Sequence, residues 1–232
     1  AYWNDPFEQA KVFEQELEAA SHGVVNYEVV MEVETDHFYT YKTNKKGERE
    51  WITHKDIKEY CKTIDVPSFW TKGMGYDYLA LLSDYGFDKM RDAEELHEGW
   101  VFTHPGACMY ESRLIGDGAF WCNSPGLTKE MGAPCDKLVC VMGCNFERST
   151  DLGVHCWGHR YESIMSEVYK DFFAENGRFM QFFDNRYKES QLCNWERFCG
   201  YKMNYGNGKF PEQEGYAHIG FCHFPPNGVK DY

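Results

Sequence analysis

The segment Gly153–Glu162 holds the residue types and spacings of this chain best suited to chemistry. An α-helix turns about 100° per residue, so His155, His159 and Glu162, at offsets of four and seven, fall on one stripe. Two imidazoles and a carboxylate converging on one point can ligate a divalent metal or act as an acid/base cluster. Zinc takes neutral imidazole nitrogens and carboxylate oxygens at about 2 Å, and a catalytic site keeps one position open for water. Non-haem iron uses the same ligand types. The zincin pattern is missing, because Cys156 stands where a glutamate would follow the first histidine. The rival arrangement is structural: two hydrogen-bonded histidines packed under Trp157, with Glu162 paired to Arg160 or Arg148.

Four further charged residues sit where ligand sites gather in α/β sheets, just past the ends of expected strands. Glu111 and Arg113 follow the apolar run Gly99–Thr103, and Glu147 and Arg148 follow the run Lys137–Met142. Either carboxylate could take a proton from water, and either guanidinium could stabilise an oxyanion. Ion pairs that merely order their loops are the alternative. His218 and His223 flank an expected strand at an odd offset, so a regular strand points them to opposite faces. His223, at the C-terminal end before Pro225, is the better candidate for a further metal ligand. No G-x-S-x-G elbow is present, Ser124 reads as part of a turn, and Gly116–Gly118 lacks the lysine and hydroxyl of a phosphate loop.

The elements that must position these groups are legible in outline. Asn4 or Asp5 caps an N-terminal helix with Pro6 in its first turn and Gly23 after its end. Asn26–Tyr41, rich in Val, Tyr, Phe and Thr, reads as a strand paired across the Lys45–Gly47 turn with Arg49–Ile52. Thr53 caps a helix over His54–Ile64, and another covers Tyr76–Asp84. Short apolar runs at 99–103 and 137–142 suit buried strands, the second stopping at Gly143. Tyr161–Glu175 is helical. An earlier start at Asp151 is opposed by Gly153 and Gly158, each costing up to about 1 kcal/mol against alanine. Asn185–Tyr201 reads as a helix and Ala217–Phe224 as a last strand. Strand, loop and helix in alternation predict an α/β fold. The expectation is a single domain over 1–232 with a central, largely buried sheet flanked by helices. Residues 1–75 carry the first helix and hairpin, and 100–232 carry the site.

Bulk properties narrow the function. The formal charge is −13, from 37 acidic and 24 basic residues, which opposes binding to a phosphate backbone. The basic run Lys42–Arg49 reads as a solvated hairpin. No stretch approaches the roughly 18 to 20 apolar residues of a membrane span. No leader segment is legible, so a secreted protein would be in its mature form. The ten cysteines, at 61, 108, 122, 135, 140, 144, 156, 193, 199 and 222, suggest up to five disulfides and an oxidising, extracellular compartment. Zinc binding by cysteines is the competing use; Cys140 and Cys144 have a suitable spacing but no C-x2-C pair exists.

Four segments occur together: ESRLIGDGAFWCNSP at Glu111–Pro125, VMGCNFER at Val141–Arg148, GHRYES at Gly158–Ser163 and HFPPN at His223–Asn227. In these the chain resembles an uncharacterised group of secreted proteins found as modules in larger chains. The resemblance implies no activity. It implies that His159, Glu162, Glu147, Arg148, Glu111, Arg113 and His223 belong to one constellation, and it leaves His155 outside. The resulting expectation is a secreted, disulfide-braced protein in which His159, Glu162, His223 and His155 hold a divalent metal, zinc by choice. Glu147 or Glu111 would act as base and Arg148 or Arg113 would stabilise charge, in hydrolysis of a peptide or polysaccharide. The alternative is a non-catalytic module whose aromatic surface binds an extracellular polymer or protein and whose histidines and acids form a structural network.

Overall fold

The computed structural model describes residues 4–63, 73–104, 106–146 and 148–168. The expected helix over 185–201, the last strand, His218 and His223 lie outside the described residues, as does Glu147. The chain divides into two compact units, Ala1–Cys156 and Trp157–Tyr232.

Asp5 starts helix α1 (Pro6–Ala20) by accepting hydrogen bonds from Phe7 N at 2.9 Å and Glu8 N at 3.5 Å. Proline in the first turn removes an N–H that would have had no partner there. The buried side of α1 is Gln9, Phe13 and Leu17. Beyond Gly23 the chain runs on without pairing until strand β1 (Thr40–Thr43), which lies between β2 (Arg49–Trp51) and β3 (Gly75–Tyr76), antiparallel to both. The turn between β1 and β2 is built by Asn44, whose side-chain oxygen accepts from Lys46 N at 2.9 Å and Glu48 N at 3.0 Å. The basic run is therefore a solvated hairpin, as its composition suggests.

The strand expected over 26–41 is corrected: only its last two residues join a sheet. Alternation in Val29–Val33 would need a partner strand and a covered face, and neither is found among the described residues. Val29, Val30, Met31 and Val33 are all exposed.

Thr53 and Asp56 form a reciprocal cap at the start of α2 (His54–Thr63). Asp56 accepts from Thr53 N at 2.8 Å, and Asp56 N donates to Thr53 Oγ1 at 3.4 Å. Lys42 on β1 reaches the same carboxylate at 2.9 Å, tying hairpin to helix. Burial alone would raise the Asp56 pKa, but the hydrogen bonds from Lys42 and Thr53 outweigh it and bring the group down to about 2. Because the folded value lies below the unfolded one, the contribution is complete above about pH 4 and is lost as pH falls towards 2. Replacing Asp56 by asparagine should cost about 1 kcal/mol at pH 7 and flatten the acid limb of a denaturation–pH curve between 4 and 2.

Helices α3 (Tyr78–Asp84) and α4 (Phe87–Asp92) lead to a second sheet of β4 (Glu98–Thr103), β5 (Ser112–Ile115) and β6 (Val139–Asn145). β6 is central, parallel to β4 and antiparallel to β5. Val139 and Val141 join Tyr78, Leu81, Leu82 and Ile115 in the main core. By the twofold period of a strand, Cys140, Met142 and Cys144 point to the opposite face. There Cys144, Phe102 and Phe13 border a small void beside α5 (Thr150–Val168), the last described element. β6 does not stop at Gly143. It continues because glycine is what the strand needs there: a β-carbon would stand 2.8 Å from Met109 Cβ and 2.8 Å from Tyr110 O.

The α/β class is borne out as helices with small mixed sheets. Among the described residues the single central sheet is corrected to two separate three-stranded sheets, and 26–39 contributes no strand to either. The disulfide brace is not found among the described residues: no disulfide forms among Cys108, Cys122, Cys135, Cys140, Cys144 and Cys156, while Cys193, Cys199 and Cys222 lie outside them. These sulfurs sit apart in the core and pocket walls, where cysteine behaves as a small apolar residue. Burial raises the Cys108 thiol to about 11 and the Cys144 thiol to about 12. Both should stay unmodified by iodoacetamide in the native protein at pH 8 and react fully after denaturation, as counted by peptide mass mapping.

Candidate metal centre

Three tethers set the site. The loop between β4 and β5 is pinned from two sides: Thr40 Oγ1 donates to Ala107 O at 2.6 Å, and Tyr110 N donates to the Tyr78 hydroxyl at 2.8 Å. Its last residue, Glu111, enters β5 with its carbonyl accepting from Gly143 N at 3.3 Å. The segment after β6 is held by α1. Asn4 N donates to Phe146 O at 2.8 Å, Asn4 Nδ2 donates to Arg148 O at 3.0 Å, and Gln9 Nε2 donates to the same carbonyl. Finally α5 packs on α1 where Gly153 meets the Phe13 ring; a β-carbon there would lie 3.1 Å from it. This close approach is the reason for a glycine whose helix propensity argued against the early start. The helix begins at Thr150, ahead of both histidines, and continues through Gly158.

With α5 helical, His155 and His159 project one turn apart on the same side. Glu111 meets the first of them: one ligand atom of Glu111 and one of His155 lie within 4.8 Å of each other, and both residues are half-buried. Asn123 Nδ2 donates to Glu111 Oε2 and orients that carboxylate. Asn123 holds a left-handed backbone, φ 54°, in a turn fixed by Ser124, whose buried hydroxyl donates to Ser112 O at 2.8 Å. Ser124 is thus a turn residue and not a nucleophile.

Glu162 occupies the stripe as expected but does another job. Its Oε2 lies 3.3 Å from His159 Nδ1. A carboxylate on one ring nitrogen fixes the tautomer with Nε2 carrying the lone pair, the usual outer-shell arrangement around a metal-bound histidine. Changing Glu162 to glutamine should weaken metal binding by about 10- to 100-fold without unfolding the helix, measured by competition with a chelator of known affinity.

The other candidates separate. Arg113 lies over the Tyr78 and Tyr110 rings at 5.1 and 5.3 Å and donates to Pro125 O at 2.9 Å. It buttresses the Glu111 strand and does not line the pocket beside it. Arg148 does line that pocket, a space of about 340 Å³ at the C-terminal end of β6, together with Glu111, Asn145, Gly143 and Cys108. Glu111 is therefore shared between the donor cluster and the pocket. Sequence reading placed Glu111 among possible bases. Its role as third donor is set by the β5–β6 pairing, which no local pattern announces.

No family model matches this chain, and neither the curated proteins nor the solved structures yield a match.

Proposed function

We propose that this chain carries a mononuclear divalent-metal centre, with zinc the best fit to two imidazoles and one carboxylate, and uses it for hydrolysis. The observation that carries the reading is the meeting of Glu111 with His155 across more than forty residues of sequence, with His159 one turn further along the same helix. Three protein ligands and an open position are what a hydrolytic zinc site requires; the ion acidifies bound water and polarises a carbonyl. Glu111, His155 and His159 are the proposed ligands, Glu162 and Asn123 their orienting partners, and Arg148 the cation facing the pocket. The base is left to Glu147, on the sequence argument alone. A peptide or polysaccharide substrate and an extracellular setting belong to this proposal through the cysteine number and the aromatic content.

Elemental analysis of protein purified without chelator, then dialysed against one, tests the reading. One equivalent of metal, removable and restorable, supports it. Protein that stays below a tenth of an equivalent after zinc loading refutes it. The second reading, a binding module with a structural His/acid network, is favoured by one contact, that of His159 with Glu162. It predicts that His159→Ala lowers thermal stability and leaves metal content at zero before and after the change.

A further inference from the structure

The pocket next to the donor cluster carries information about what the site accepts. Its space of about 340 Å³ is at the small end of the roughly 300–1,000 Å³ typical of ligand pockets, equal to about ten water molecules at about 30 Å³ each. Part of its wall is small, at Gly106, Ala107 and Gly143, and Met109 and Leu152 add apolar surface. Against these stand two polar side chains besides Glu111, namely Asn145 and Arg148.

Arg148 is prepared for a partner. Its backbone is fixed at the carbonyl by Asn4 and Gln9 and at its own N–H by Asn145 O at 3.3 Å. Its only ion pair among the described residues is with Asp151 at 4.0 Å, and both side chains are more than half exposed. An exposed pair of that length holds little. It involves one nitrogen of the guanidinium fork, which leaves the other donors to a ligand, and the group the fork matches in two parallel hydrogen bonds is a carboxylate. A divalent ion on Glu111 offsets the one negative charge in the pocket wall, so the field there favours an anion even though the chain as a whole is acidic.

We propose that this pocket binds a small carboxylate-bearing molecule, of the size of an acylated amino acid, with its carboxylate on Arg148 and the Asn145 amide beside it. This deepens the metal reading and rests on it for the charge balance at Glu111. It also selects among substrates: a chain end bearing a free acid supplies the carboxylate for Arg148, and an internal stretch of neutral polymer offers none.

The test compares N-acetylalanine with its uncharged amide, and with glucuronate as an acid from another source. Each is titrated by NMR into zinc-loaded protein, chelator-stripped protein and the Arg148→Gln variant. The variant should fold, since only the backbone of Arg148 makes structural bonds. The expected result is a preference of about tenfold to a hundredfold for the acid over the amide on zinc-loaded protein, lost in Arg148→Gln. Tighter binding of glucuronate would keep the carboxylate assignment and make the ligand a sugar acid. Equal binding of acid and amide with zinc in place would overturn the inference and leave the metal reading intact. So would an acid preference that survives in Arg148→Gln. An Arg148-dependent preference in protein that takes up no zinc would instead sink the metal reading and keep this one.

Discussion

Replacing either His155 or His159 by alanine should lower zinc affinity by more than about a hundredfold, beyond the range seen for outer-shell partners, while the far-ultraviolet circular dichroism stays that of wild type. The expectation follows from counting donors. Three protein ligands hold the ion, and removal of one leaves two, with solvent filling the rest. Neither ring belongs to the buried core, so alanine opens no large cavity and suits the helix better than histidine does. Glu111→Gln should act in the same direction, because the amide keeps the shape and loses the charge. A loss caused by His159→Ala alone, with His155→Ala and Glu111→Gln silent, would break the proposed set of three.

Gly143→Val should give the largest stability loss. The first added carbon would meet Met109 Cβ and Tyr110 O, each 2.8 Å away, and one of those atoms is backbone. Overpacking of a tight site costs typically 1–3 kcal/mol, and the branched side chain places this change at the upper end. For a chain of this size that corresponds to a fall in melting temperature of roughly 5–10 °C. The site feels it directly. Gly143 N bonds to the carbonyl of Glu111, and the displaced residues are those immediately before Glu111. Zinc affinity should therefore drop along with stability, by about tenfold on the scale of a misplaced ligand. A wild-type melting curve for this variant would mean that β6 does not run past Gly143 as described.

How much of this was legible depends on whether the signal was local. The caps at Asp5 and Thr53, the Asn44 hairpin and the i, i+4 pair of histidines are local, and each is where the sequence places it. Local signals failed where a distant partner decides. Val29–Val33 alternates like a strand but has no neighbour to pair with among the described residues. Gly153 and Gly158 argue against a helix, yet the Phe13 ring on α1 explains the first of them. Gly143 looks like a stop and is instead a point of close contact inside β6. Glu111 was singled out for its position after a strand, but its meeting with His155 depends on β5 lying antiparallel to β6. The cysteine count suggested cross-links; of the six described sulfurs two share strand β6, one is on helix α5 and the others are in loops, and no two of them are bonded, a spatial fact that number and spacing do not encode.

X-ray absorption at the zinc edge of the loaded protein tests the central claim most directly, because ten cysteines compete with the proposed ligands. A first shell of nitrogen and oxygen alone at about 2.0–2.1 Å, with imidazole scattering that diminishes in His159→Ala, is the predicted spectrum. A sulfur shell at about 2.3 Å, unchanged in that variant, would place the metal on cysteine thiolates and contradict the account.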